Sequence, residues 1–286
     1  MSDSRPIGVF DSGIGGLTVL KEIWKALPGE STVYFGDSGR MPYGTKSHDT
    51  IVNFSLQITR FLESCDVKLL VIACNSASAH SYEAVKKVAK VPVIEVITPG
   101  AKKAVGVTRN RRIGVIATNA TVSSSLYKEA IEDQFGRRFG GKEGGLAVFQ
   151  KACPLFVSLA EEGWWDNEVT DLTAKAYLAD LMEADIDTLV LGCTHYPLLA
   201  GAIARVVGPS VCLVNAGENV ASEVVGILDS GDMRNRSGGK PEFRFYTSDD
   251  PVMFEMQAAP FLGGGRPEGT KKVLVEEYGK SERERL

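Results

Sequence analysis

The sequence is poor in the residues that carry redox and metal chemistry. It has five cysteines and three histidines among 286 residues. No two cysteines form a C-x-x-C pair, so neither a zinc ribbon nor a thioredoxin-like motif is present. The cysteines, at positions 65, 74, 153, 193 and 212, are scattered and odd in number. That suits reduced thiols in a cytoplasmic protein better than a disulfide framework. A basic excess is also missing: 32 Lys plus Arg stand against 36 Asp plus Glu, a net charge of −4. This argues against a nucleic-acid partner. No apolar run reaches the roughly 18 residues of a membrane span, so none is expected. The first residues, Met1-Ser2-Asp3-Ser4-Arg5, lack the apolar core of a signal peptide. What remains is a 44% hydrophobic, 24% charged chain, long enough for one large domain or two ordinary ones.

Short apolar runs alternate with longer amphipathic stretches. Strands are expected at 7–10, 32–35, 69–73, 91–96, 112–117, 146–149, 188–191 and 211–214. Helices are expected at 17–26, 49–63, 76–89, 123–135, 169–183, 198–207 and 218–228. The strand runs are continuously apolar rather than alternating, so both sheet faces are covered, and the alternation of elements predicts βαβ units with mostly parallel sheets. Ile7-Gly8-Val9-Phe10-Asp11 resembles Ile113-Gly114-Val115-Ile116-Ala117. Leu69-Leu70-Val71-Ile72-Ala73-Cys74-Asn75 resembles Thr188-Leu189-Val190-Leu191-Gly192-Cys193-Thr194. The expected architecture is therefore α/β, with two pseudo-symmetric, doubly wound domains. Residues 1–98 with 214–286 form one domain and residues 99–213 the other. The glycine-containing stretch 226–240 reads as a loop, and the end of the charged tail, 281–286, as mobile.

Asp11-Ser12-Gly13-Ile14-Gly15-Gly16 falls where the first strand turns into a helix, a place for an anion. It departs from a dinucleotide fingerprint, because Thr18 holds the third glycine position, and no Gly-Lys-Ser/Thr follows for a phosphate loop. Asp37-Ser38-Gly39-Arg40-Met41-Pro42-Tyr43-Gly44 follows the second strand, and its Asp37 and Arg40 taken alone read as a solvated ion pair. Cys74-Asn75-Ser76 and Cys193-Thr194-His195 are more informative. Each cysteine ends a strand and precedes a helix, a position expected to lower a thiol pKa. One such cysteine is ordinarily a small packing residue; two in matching contexts suggest thiols facing across one cleft. Such a pair could be a disulfide switch, or two bases that take a proton from one face of a carbon and return it to the other. Asn75, Ser76, Thr194 and Ser12 are neutral hydrogen-bonding groups suited to a small carboxylate. His195 could hold the Cys193 proton, and Asp11 that of Cys74. Glu161 alone would read as a surface charge. Cys65, Cys153 and Cys212 read as packing residues, His48 and His80 as helix-surface residues, and Trp164-Trp165 as loop packing.

Four stretches together carry a specific resemblance: Val9-Phe10-Asp11-Ser12-Gly13-Ile14-Gly15-Gly16, Pro42-Tyr43-Gly44-Thr45-Lys46, Ala73-Cys74-Asn75-Ser76-Ala77-Ser78-Ala79, and Leu191-Gly192-Cys193-Thr194-His195-Tyr196-Pro197-Leu198-Leu199. The chain resembles the glutamate racemases of the aspartate/glutamate racemase superfamily over most of its length. The resemblance implies an active site in the cleft between two domains. It also implies interconversion of L- and D-glutamate without pyridoxal phosphate, metal or other cofactor, supplying D-glutamate for peptidoglycan. Under it Cys74 deprotonates D-glutamate and Cys193 deprotonates L-glutamate, Asp11 and His195 assist their respective thiols, and Glu161 belongs with His195. Substrate contacts would come from Asp11, Ser12, Tyr43, Gly44, Asn75, Ser76, Thr118, Thr194 and His195. The implied partner is the small-molecule substrate alone, without nucleic acid or membrane, and a homodimer is compatible with it. Two departures stand out. Asn75-Ser76 replaces the commoner Asn-Thr, which keeps a hydroxyl, and Glu95 occupies a position where glycine is expected, placing a carboxylate near the domain boundary.

Overall fold

A computed structural model describes residues 2–140 and 145–279; the 281–286 tail lies outside the described residues. In chain order the strands are β1 (Ile7–Asp11), β2 (Thr32–Gly36), β3 (Leu69–Ile72), β4 (Val93–Glu95), β5 (Arg112–Ala117), β6 (Ala147–Ala152), β7 (Thr188–Gly192), β8 (Cys212–Asn215), β9 (Phe243–Thr247) and β10 (Lys271–Lys272). The helices are α1 (Leu17–Ala26), α2 (His48–Ser64), α3 (Asn75–Val88), α4 (Ile97–Val107), α5 (Asn119–Ser123), α6 (Leu126–Phe139), α7 (Leu155–Glu161), α8 (Glu168–Glu183), α9 (Ala200–Val207), α10 (Ala216–Ser230) and α11 (Pro251–Ala258). Two sheets form, one six-stranded in the order β10-β9-β2-β1-β3-β4 and one four-stranded in the order β6-β5-β7-β8. Every strand pairing in them is parallel. The α/β class with mostly parallel sheets is therefore as the strand runs required.

The central strands explain their own placement. β1, β2, β3 and β7 are buried along their whole length, which only a sheet covered on both faces allows. Leu17, Leu20 and Ile23 of α1 and Val220, Val224 and Leu228 of α10 pack in one core against Val9, Tyr34 and Val71 of the first sheet. The chain thus leaves the first sheet after β4, builds the second, and returns through α10. Leu178 and Leu181 of α8 and Ile203 of α9 cover one face of the second sheet, joining Leu189 and Leu191.

Several boundaries differ from those expected. α10 runs through Gly226 to Ser230, so the expected loop starts only at its end. The helix expected at 123–135 starts only at Leu126, as α6, because Ser125, with a φ of 59°, breaks the path from the short, unexpected α5. Helix α4, β9, β10 and α11 were not anticipated. Thr98-Pro99-Gly100 looks like a turn, yet Pro99 falls in the first turn of α4, where no helical N–H bond is needed. Glu95 supplies that helix with its cap: its carboxylate accepts the Ile97 N–H and, at 2.8 Å, the Thr98 N–H. An anion there also complements the helix dipole. Burial raises the Glu95 pKa, partly offset by those hydrogen bonds. Cys212 is exposed on β8 rather than packed.

Candidate active site

The C-terminal ends of four parallel strands supply the site, the place where such sheets gather functional loops. Asp11 closes β1 and Ser12 follows it; Cys74 follows β3, Thr118 follows β5 and Cys193 follows β7. Cys74 is the cap of α3, with Sγ accepting the Ala77 N–H at 3.5 Å. Thr118 caps α5 in the same way through Thr121 N–H. The two sets of loops enclose a cavity of about 310 Å³ whose walls include both Cys74 and Cys193. Ser12, Tyr43, Gly44, Asn75, Ser76, Thr118, Glu161, Thr194 and His195 also line it.

The β1–α1 loop meets the β7 loop by close approach. Thr18 Oγ1 donates to the Thr194 carbonyl at 3.0 Å. A methyl group added at Gly15 would lie 2.3 Å from Thr194 Oγ1 and 2.6 Å from the His195 ring. At Gly16 it would lie 2.5 Å from Asp11 Cβ. These glycines serve contact rather than left-handed backbone, since neither has a positive φ. Tyr34, fully buried, donates its hydroxyl to the Gly13 carbonyl at 2.8 Å and holds the loop from below.

Asp11 differs from its expected place. It is sealed from solvent and lies behind the cavity wall rather than in it. Its carboxylate accepts the Gly13 N–H at 3.0 Å and the Thr194 hydroxyl at 3.5 Å. Burial raises its pKa, against the pull of His195 and these donors. The Cys74 thiol donates to Ser12 Oγ at 3.6 Å. Burial, and then the Asp11 charge, push Cys74 up to about 12. The expectation that a helix start would lower this pKa fails here, because desolvation and a neighbouring anion outweigh the Ala77 and Ser12 hydrogen bonds.

The surroundings of Cys193 are different. A four-residue 3-10 turn, Tyr196–Leu199, stands between it and α9, so it has no α-helix start of its own. Its partner is His195, with Sγ···Nδ1 at 3.8 Å, and His195 Nε2 meets Glu161 Oε1 at 3.1 Å. Burial pulls the imidazole pKa down, but Cys193 and Glu161 override it and raise it to about 10. His195 is therefore an imidazolium at neutral pH. Glu161, the last residue of α7, makes this contact, whereas Glu162 is exposed.

Tyr43 lines the cavity, but its hydroxyl is turned away and donates to Asp37. The Asp37–Arg40 pair is not solvated as expected. Asp37 is fully buried, Arg40 Nη2 lies 2.8 Å from it, and the Arg40 guanidinium lies 4.0 Å from the centre of the Phe54 ring. Together they brace the Pro42–Tyr43–Gly44 wall. Gly44 must be small, since an added methyl would lie 2.9 Å from Thr118 Cβ. Ser76 and Thr118 share a hydrogen bond of 2.9 Å. Gly13, Met41, Pro42 and Thr45, from stretches singled out in the sequence but given no contact of their own, also line the cavity, as do Asn119, Pro154, Val157 and Ser158, which sequence reasoning did not assign to a site. Cys153 is buried behind the site, while Trp165 donates its indole N–H to Ala160 at the back of α7. His48 and His80 face each other with their Nδ1 atoms 3.3 Å apart. Among the described residues no group of three or more His, Cys, Asp or Glu is arranged to hold a metal, and no helix is long and apolar enough to cross a membrane.

Fold and cavity define an α/β enzyme whose site lies between two parallel sheets. Residues 7–218 match the family model described as Asp/Glu/Hydantoin racemase. The chain is 50% identical over 260 residues to a glutamate racemase of Geobacter metallireducens, covering 91% of this chain and 93% of that one. It is 44% identical over 271 residues to a glutamate racemase of Syntrophus aciditrophicus, covering 95% and 97%. Its fold matches a crystal structure of glutamate racemase from Francisella tularensis in complex with D-glutamate, with a TM-score of 0.87 and 38% identity over 96% of this chain and 100% of that one. The chain belongs to the Asp/Glu/Hydantoin racemase family and is an isomerase of the racemase type.

Proposed function

We propose that this protein interconverts L- and D-glutamate by a two-base mechanism in which Cys74 and Cys193 act on opposite faces of Cα, without a cofactor. The observation that carries the reading is one cavity walled by both sulfurs and by neutral hydrogen-bonding groups on each side. The D-glutamate-bound relative, with its similar fold, supports the substrate. Use of the product in peptidoglycan and a cytoplasmic location go with this reading. So does a division into two domains, 1–98 with 214–286 and 99–213.

The charges of the site suit one direction of proton flow. Cys74 holds its proton, and the His195 imidazolium stands beside Cys193. With L-glutamate bound, the Cys193 thiolate takes the α-proton and becomes a thiol. The electron pair left on Cα delocalises into the α-carboxylate, and the Cys74 thiol delivers its proton to the opposite face. D-glutamate forms, and Cys74 is left as the thiolate. The reverse reaction retraces these steps. The weakly acidic Cα–H makes stabilisation of the carbanion the hard part. Donors at Ser12, Asn75, Ser76, Thr118 and Thr194, which line the cavity, address the substrate carboxylates and the developing charge.

Polarimetry of L-glutamate with purified protein, stripped of metal ions and pyridoxal phosphate, tests the proposal. Optical rotation should decay to zero as a racemate forms. Undiminished rotation at high protein concentration overturns it.

A further inference from the structure

Tyr127 stands behind the cavity and touches both of its sides. It is fully buried on α6 and belongs to the core formed with Ile97 and Ala101 of α4 and Val190 of β7. A methyl group added at Gly192, the residue before Cys193, would lie 3.0 Å from the edge of the Tyr127 ring. One added at Gly100 would lie 3.4 Å from the ring and its hydroxyl. The ring is thus lodged between the end of β7 and α4. From this seat the hydroxyl donates to Asn75 Oδ1 at 2.7 Å. Asn75 follows Cys74, is almost fully buried, and lines the cavity.

An asparagine amide has an accepting end and a donating end of nearly the same shape. Packing alone selects weakly between its two orientations; hydrogen bonds do the selecting. A substrate carboxylate only accepts, so it gains from the amide NH2 and is repelled by the amide oxygen. We propose that Tyr127 is a positioning residue for substrate binding: by engaging the Asn75 carbonyl it turns the amide donors toward a carboxylate in the cavity. This rests on the reading of the cavity as the glutamate site. The tyrosine touches no substrate atom and acts through Asn75. Burial keeps its pKa well above the ordinary tyrosine value, so the donor is present throughout the working pH range.

Tyr127→Phe keeps the ring and removes only the donor. It should raise KM for both enantiomers by roughly three- to tenfold, the range expected for one lost hydrogen bond. The kcat should stay within about twofold and its pH profile should not move. In an Asn75→Ala background the same change should leave KM unaltered, because no amide remains to be oriented. A ring that acts merely by packing against Gly192 is kept in phenylalanine and would leave KM unchanged in Tyr127→Phe, which overturns the proposal; equal losses in both backgrounds overturn it too, since the hydroxyl would then act other than through Asn75. Asn75→Asp provides a second test that leaves Tyr127 intact: it keeps an acceptor for the hydroxyl and deletes the donor end. It should raise KM at least as much as Asn75→Ala; wild-type KM contradicts the proposal. Failure of the wild-type protein to racemise glutamate would instead sink the proposed function, so the two failures are distinguishable.

Discussion

Cys74 sits at the start of a long helix with a buried carboxylate behind it, whereas Cys193 leads into a short 3-10 turn with an imidazolium and a second carboxylate lined up beside it. Both sulfurs follow the C-terminal end of a central parallel strand, so backbone geometry alone would make them equivalent. The second layer of residues makes them different. Burial, and then the Asp11 charge, raise the cost of a thiolate at Cys74, and His195 places positive charge beside Cys193. A two-base mechanism needs one acid and one base at the start of each turnover. In the proposed mechanism the two similar strand ends, with their oppositely charged neighbours, take these two parts.

Removing either sulfur should break the comparison most severely. Cys74→Ala and Cys193→Ala should each lose about a thousandfold or more in racemisation, in the upper range for a positioned acid or base, while circular dichroism shows a folded protein. Near-wild-type turnover in either variant would leave that sulfur outside the chemistry.

Changing the charged neighbours sharpens the comparison with smaller effects. His195→Asn removes the charge beside Cys193 and should cost about tenfold to a hundredfold in kcat. Asp11→Asn should shift alkylation of Cys74 by iodoacetamide to lower pH, since the Asp11 charge is one of the two main causes holding the thiol protonated. Stability reports the same asymmetry. The folded-state pKa of His195 is raised from 6.5 to about 10, so its contribution is complete below about pH 6.5 and is lost as pH rises through about 10. Cys74, raised from 9.0 to about 12, adds a further decline above pH 9. The wild-type Tm should therefore fall across this alkaline window, and His195→Asn should flatten the earlier part of the fall. Parallel Tm curves for the two proteins would contradict the charge assigned to His195.

The strands were legible because each central one is a continuous apolar run, and Cys74 and Cys193 were legible because they sit where such runs stop, whereas Thr118 was reached only through the resemblance. β9 was not, since Phe243-Arg244-Phe245-Tyr246-Thr247 mixes an exposed and a buried phenylalanine and follows a glycine-containing stretch. α4 was hidden because Pro99 and Gly100 read as a turn until Glu95 is seen capping the backbone ahead of them. Within the site, residue identity along a strand end could suggest a thiol but not its acidity. That depends on Asp11 being sealed behind the wall and on Glu161 reaching His195 from α7, and both are products of tertiary packing. The Asp37–Arg40–Tyr43 brace and the Tyr127–Asn75 bond were unreadable for the same reason: each joins segments that only folding brings together.

The central claim is that each face of Cα has its own sulfur. Racemisation of L-glutamate in heavy water, stopped early, tests it most directly by mass spectrometry or proton NMR of the separated enantiomers. The account predicts deuterium at Cα of the D-glutamate formed and almost none in the recovered L-glutamate. Equal deuterium in both pools would mean that a single base serves both faces, and would contradict it.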